Sequence, residues 1–161
     1  MTDLALAEAV QLLALTRAIT IAVAESCTGG LLGHSITEVP GSSGYFLGGV
    51  ISYADEAKHD LLHVPAATIE RHGAVSAQTA VAMARGVRER FEATLGLSTT
   101  GIAGPGGGSQ AKPVGLTYVA IASAGAHDVR RFLWQGDRHA NKQQSVTAAL
   151  NLLLEWLEHP P

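Results

Sequence analysis

Residues 20–36 read Thr-Ile-Ala-Val-Ala-Glu-Ser-Cys-Thr-Gly-Gly-Leu-Leu-Gly-His-Ser-Ile. Thr20–Ala24 is a short apolar run with β-branched residues, which predicts a buried strand. Thr28–Thr37 predicts a helix. Between them, Glu25-Ser26-Cys27 occupies a strand-to-helix turn. A side chain at such a turn is presented to a cleft, and the following backbone N–H groups point the same way. Nucleophilic serines of hydrolases occupy this kind of junction, although the G-x-S-x-G pattern is absent. A serine there serves equally as a helix N-cap.

Outward from this unit, strands and helices alternate. Met1–Arg17 predicts an amphipathic helix with Leu6, Val10 and Leu13 on one side. Tyr45–Tyr53 predicts a second strand, with Gly48-Gly49 marking a bulge or close packing. Ala54–Leu62 predicts a short helix with Asp55 as its cap, and Thr68–His72 a further helical turn. Ser76 caps the strongest predicted helix, in which Ala80, Met83, Ala84, Val87 and Phe91 repeat at helical spacing. Leu95–Thr100, Gly115–Ser123 and Val129–Gln135 predict three more strands, and Asp137–Leu157 the last helix.

The pattern predicts an α/β fold: three layers, α/β/α, around a mixed, mostly parallel five-stranded sheet. The short step from Ser123 to Val129 suits an antiparallel hairpin. Residues 1–161 show no linker long enough to separate domains, so one domain is expected. Ligands of open α/β sheets lie beyond the carboxyl ends of the strands. Glu25-Ser26, Ser52-Tyr53 and Thr99-Thr100 are three such ends, and the site is expected where they converge.

Composition narrows the classes. A hydrophobic share of 47% and a charged share of 16% fit a packed globular chain rather than a disordered one. A net charge of −3 without a basic run argues against nucleic acid as a partner. No apolar run reaches membrane-spanning length and no signal peptide is evident, so no membrane is expected and a cytoplasmic location is the default. One cysteine, Cys27, excludes a disulfide framework, and no zinc-type histidine spacing occurs, so no metal or other cofactor is expected.

Ser26 needs a base to act as a nucleophile. Lys58, on the short helix after Tyr53, supplies a candidate, because a lysine held neutral accepts a hydroxyl proton. Either residue is equally readable as an ordinary surface or strand-end side chain. The N–H groups of Thr28, Gly29 and Gly30 are candidate oxyanion donors, or the glycines simply permit a tight turn. Gly101–Gly108 has the composition of a phosphate cradle but lacks the Gly-Lys-Ser/Thr ending of a P-loop. Arg138 is a candidate for binding phosphate or carboxylate. Cys27 is a rival nucleophile or a small buried hydrophobe, the latter favoured. Glu25 either orients substrate or ends the strand.

Longer motifs carry a resemblance. Ala24–Gly30, Pro40–Ser43 with Tyr45–Val50, Tyr53 with Glu56-Ala57-Lys58, His72–Ser76, Thr100–Pro105, Lys112–Gly115 and Gly136-Asp137-Arg138 together resemble the CinA C-terminal domain family, over about residues 4–157. That family contains nicotinamide-nucleotide amidases, which hydrolyse nicotinamide mononucleotide (NMN) to nicotinic acid mononucleotide and ammonia. The resemblance implies Ser26 as nucleophile, with Lys58 and Tyr53 moving its proton. It implies that Thr100, Gly101 and Gly104 help to form the substrate site, that no cofactor is used, and that the protein is a homo-oligomer, with a dimer favoured. Two positions depart from the family pattern: Gly106 stands where aspartate is common, and Lys142 where arginine often follows Arg138 by four residues. Both touch substrate detail rather than reaction class. The alternatives are a nucleotide-binding or competence-associated interaction module without turnover, and an amidase for a different carboxamide.

Overall fold

The computed structural model describes residues 1–161. Its elements, in chain order, are α1 (Asp3–Thr16), β1 (Ile21–Glu25), α2 (Leu31–Thr37), β2 (Phe46–Ile51), α3 (Asp55–Leu62), α4 (Ala66–His72), α5 (Ala77–Arg90), β3 (Leu95–Gly101), β4 (Leu116–Ala122), β5 (His127–Leu133) and α6 (Arg138–Glu158). The sheet order is β2-β1-β3-β4-β5. β1 runs parallel to both β2 and β3, whereas β4 is antiparallel to both β3 and β5. Four strands therefore share one direction and β4 alone opposes them. The expected three-layer, mostly parallel mixed sheet is what the chain forms.

The pleat of β1 sorts its side chains between two unlike layers. Ile21 and Val23 join Leu6 and Val10 of α1, Leu32 of α2 and Leu150 of α6 in the larger core. Ala22 and Ala24 face the opposite way, against Leu62, Met83 and Val87. Full burial of an Ile, Val or Leu side chain contributes roughly 1.5–3 kcal/mol, so most apolar stabilisation sits on the first face. The second face is built of small residues and lets α5 approach closely. A Cβ added at Gly96 would lie 1.9 Å from the Ala84 carbonyl oxygen, and one at Gly86 1.9 Å from that of Leu62.

Side-chain caps begin three of the helices. Thr2 accepts the Ala5 N–H, Ser76 the Thr79 N–H and Asp137 the Ala140 N–H. Several boundaries differ from expectation. α2 begins at Leu31 rather than Thr28, because Gly29 and Gly30 adopt φ of +59° and +101° and hold residues 27–30 in a turn. The residue before α3 is Ala54, not Asp55, and it makes no side-chain cap. β5 starts at His127, two residues early, because the hairpin closes tightly from Ser123 N–H to Ala126 O at 2.9 Å. No helix is long and apolar enough to cross a membrane.

Candidate active site

The pleat that sorts β1 also separates Glu25 from Ser26. Glu25 continues the Val23 face and turns under α2, where it is 2% exposed. Its carboxylate accepts the Thr28 hydroxyl at 2.5 Å and the N–H groups of Gly30, Leu32 and Gly33 at 3.0, 3.1 and 2.8 Å. These donors are otherwise orphaned at the start of a helix. Glu25 is therefore an internal cap with its oxygens occupied, which corrects the expectation that it touches substrate. The same network occupies the Gly30 N–H, and the Gly29 N–H donates to Ser26 O at 3.1 Å. Neither glycine is left with a free oxyanion donor. The N–H groups of Cys27 and Thr28 make no hydrogen bond to a protein oxygen.

Ser26 falls on the opposite side, towards α3. Its N–H extends the β1–β3 ladder to Thr99 O at 3.0 Å, which holds its Cα in register with the sheet. Lys58 meets it from the first turns of α3. Its Nζ lies 3.1 Å from Ser26 Oγ, 2.7 Å from Ser52 O and 3.3 Å from Tyr53 O. Two carbonyls thus take two N–H directions, and the third faces the serine. No carboxylate is bonded to this amine, which is 1% exposed. Burial holds its pKa below the ordinary lysine value, with the nearby Asp55 charge opposing.

Ser26 and Lys58 open into a cleft of about 180 Å³ that is also lined by Cys27, Tyr53, Asp55, Thr100 and Arg138. A larger groove of about 420 Å³ between α4, α5 and β5 has no nucleophile–base pair. Thr100 lies in the wall and donates to Ala74 O at 2.8 Å, tying residues 74–75 to β3. Gly101 lies beside it; a side chain there would strike Thr117. Gly104 supplies its carbonyl to Arg138 Nη1 at 2.9 Å. The other Arg138 amino group donates to the Tyr53 hydroxyl at 3.1 Å, and no carboxylate neutralises the guanidinium.

Tyr53 is 61% exposed, and its phenol is bonded to neither Ser26 nor Lys58. The proton relay through Tyr53 therefore has no hydrogen bond to carry it, and Lys58 reaches the serine directly. Cys27 is buried, and burial pushes its thiol up to about 12, against the thiolate a nucleophile needs. The sequence reading missed Asp55 as a wall of the cleft. It also missed Asn141, whose amide bonds Ala103 O at 3.0 Å and accepts the Gly136 N–H at 3.0 Å. Asn141 is one helical turn beyond Asp137, a spacing that would have pointed to the Gly136 loop.

The fold recurs in known proteins. The family model of the CinA C-terminal domain matches residues 3–157. The chain belongs to the CinA C-terminal domain family. A CinA-like protein of Chlorobaculum tepidum is 54% identical across 98% of this chain and 38% of its own length. A CinA-like protein of Geotalea daltonii is 52% identical across 83% of the chain and 32% of its own length. The chain thus spans about a third of the length of the curated relatives it matches. Crystal structures agree over the whole fold. The competence/damage inducible protein CihA from Agrobacterium tumefaciens superimposes with a TM-score of 0.95 at 36% identity, covering 99% of this chain and 98% of its own. The competence damage-inducible protein A (ComA) from Klebsiella pneumoniae gives 0.96 at 30% identity, with both chains fully covered.

Proposed function

We propose that this CinA-family chain is a serine amidohydrolase that converts NMN and water into nicotinic acid mononucleotide and ammonia. The observation that carries the reading is the Lys58–Ser26 contact, in which a buried amine, held by two carbonyls, has its remaining direction on a strand-end hydroxyl. The family resemblance supplies the substrate.

In its neutral form Lys58 takes the Ser26 proton as Oγ attacks the carboxamide carbon. Such a base contributes about 10²- to 10⁴-fold. The Cys27 and Thr28 N–H groups, which bond no protein oxygen, are the candidate donors to the oxyanion; one such donor is worth about 3 kcal/mol. Collapse of the intermediate breaks the C–N bond, and Lys58 passes its proton to the departing nitrogen, giving ammonia. Water then attacks the acyl-serine, Lys58 accepts its proton and returns one to Ser26, and the carboxylate leaves. Arg138, at the cleft mouth, would meet the substrate phosphate in this reading.

Ammonia release from NMN by the wild type, Ser26→Ala and Cys27→Ala tests this. Activity in the wild type and Cys27→Ala with loss of about 10³-fold or more in Ser26→Ala is expected. Full activity in Ser26→Ala ends the serine reading. Tight NMN binding without product identifies a binding module instead, and turnover of another carboxamide in preference to NMN reassigns the substrate.

A further inference from the structure

Asp55 is the one acidic side chain in the wall of the cleft, and the mechanism gives it no task. It makes no hydrogen bond or ion pair within the protein. It does not cap α3, since Ala54 occupies that place. Nor is it bonded to Lys58, whose three N–H directions are spent on Ser26 and two carbonyls. Arg138 lies in the same wall, on α6, so the cleft carries a free carboxylate from α3 and a guanidinium from the start of α6. The opposite charges do not pair with each other.

We propose that Asp55 is a specificity-determining residue: its carboxylate is the counter-ion for a positively charged ring nitrogen, so the cleft selects carboxamides borne on a quaternised pyridine ring with an anionic tail. The inference rests on the serine-amidase reading and adds the residue that recognises ring charge. A cleft that needed only a neutral base would be better without Asp55, because its field favours the protonated amine of Lys58. A cation in the cleft reverses that penalty. It screens Asp55 and disfavours a second positive charge on Lys58, so the amine gives up its proton when the correct substrate is in place. The other charged group of the cleft, Arg138, is already positive and directs the anionic end away from Asp55. Asp55 also borders a second groove, which it lines together with Glu56, Asp60 and Glu70.

The test is equilibrium binding by calorimetry in the Ser26→Ala background, which prevents turnover. NMN is compared with its dihydropyridine form, which has the same ribose, phosphate and carboxamide but an uncharged ring. Asp55→Asn is expected to weaken NMN roughly threefold to tenfold, as suits a partly exposed charge pair. It should leave the dihydro form within about twofold. An equal loss for both ligands, or none for NMN, overturns the proposal and leaves the amidase reading intact. Failure of NMN to bind with Asp55 present overturns both, and that result is visible before Asp55 is altered.

Discussion

Arg138 Nη2 donates to the Tyr53 hydroxyl across 3.1 Å, joining the start of α6 to the end of β2 over the cleft. This bond holds the phenol at the mouth, away from the serine. Tyr53→Phe should therefore lower kcat by less than about tenfold and act mainly on KM. A relay role would cost about 10²- to 10⁴-fold in kcat. Steady-state ammonia assays on the variant separate the two.

The buried amine sets the pH profile. Burial lowers the Lys58 pKa from its ordinary 10.5, and Asp55 raises it in part. In the proposed mechanism the neutral amine is the base, so kcat/KM should rise with pH and level off below 10.5. Removing the opposing charge in Asp55→Asn should move that limb to lower pH. Lys58→Arg should be inactive at every pH, because a guanidinium keeps its proton. A limb whose midpoint Asp55→Asn leaves in place would remove Lys58 from the base role.

Cys27 gives the opposite sign. Its thiol is raised from 9.0 to about 12, so the folded chain keeps a proton that the unfolded chain releases in that window. Stability should fall as pH rises from 9 to 12, and less so in Cys27→Ala. At pH 8 the native thiol should react with iodoacetamide far more slowly than in urea-unfolded protein. Rapid native labelling would contradict its burial.

Glu25→Gln replaces one acceptor oxygen with an amide NH2 group, a donor that faces backbone donors. The carboxylate now takes four hydrogen bonds beneath α2, so the variant should lose about 1–3 kcal/mol in urea unfolding. A loss of activity without loss of stability would return Glu25 to a substrate role.

Gly86→Ala tests the close layer. In an exposed helix interior alanine is favoured by about 1 kcal/mol. At Gly86 the new Cβ would lie 1.9 Å from Leu62 O. The substitution should therefore destabilise, by about 1–3 kcal/mol in urea unfolding.

The elements governed by periodicity were legible. α5 appears where Ala80, Met83, Ala84 and Val87 repeat, and β1 where the apolar run of residues 21–24 stands. Ser26 and Lys58 were nameable as candidates, and the structure brings them into contact. What escaped depends on contacts across turns. The start of α2 is determined by positive φ at Gly30 and by a carboxylate reaching forward from β1, neither of which leaves a periodic trace. The Tyr53 phenol was misplaced because sequence order places it beside Lys58, whereas the backbone carbonyl makes the contact and the ring turns outward. Sequence position makes Asp55 a cap, a common use of aspartate before a helix, yet Ala54 fills that place.

Glu25 and Ser26, adjacent on β1, divide two tasks between opposite sides of the sheet. The glutamate fastens α2, while the serine hydroxyl hydrogen-bonds only Lys58. Loss of the hydroxyl alone would spare every bond that shapes the turn. If the proposed reaction is the chain's own, a descendant lineage could abandon it in one substitution and still inherit an intact receptor for the same ligand.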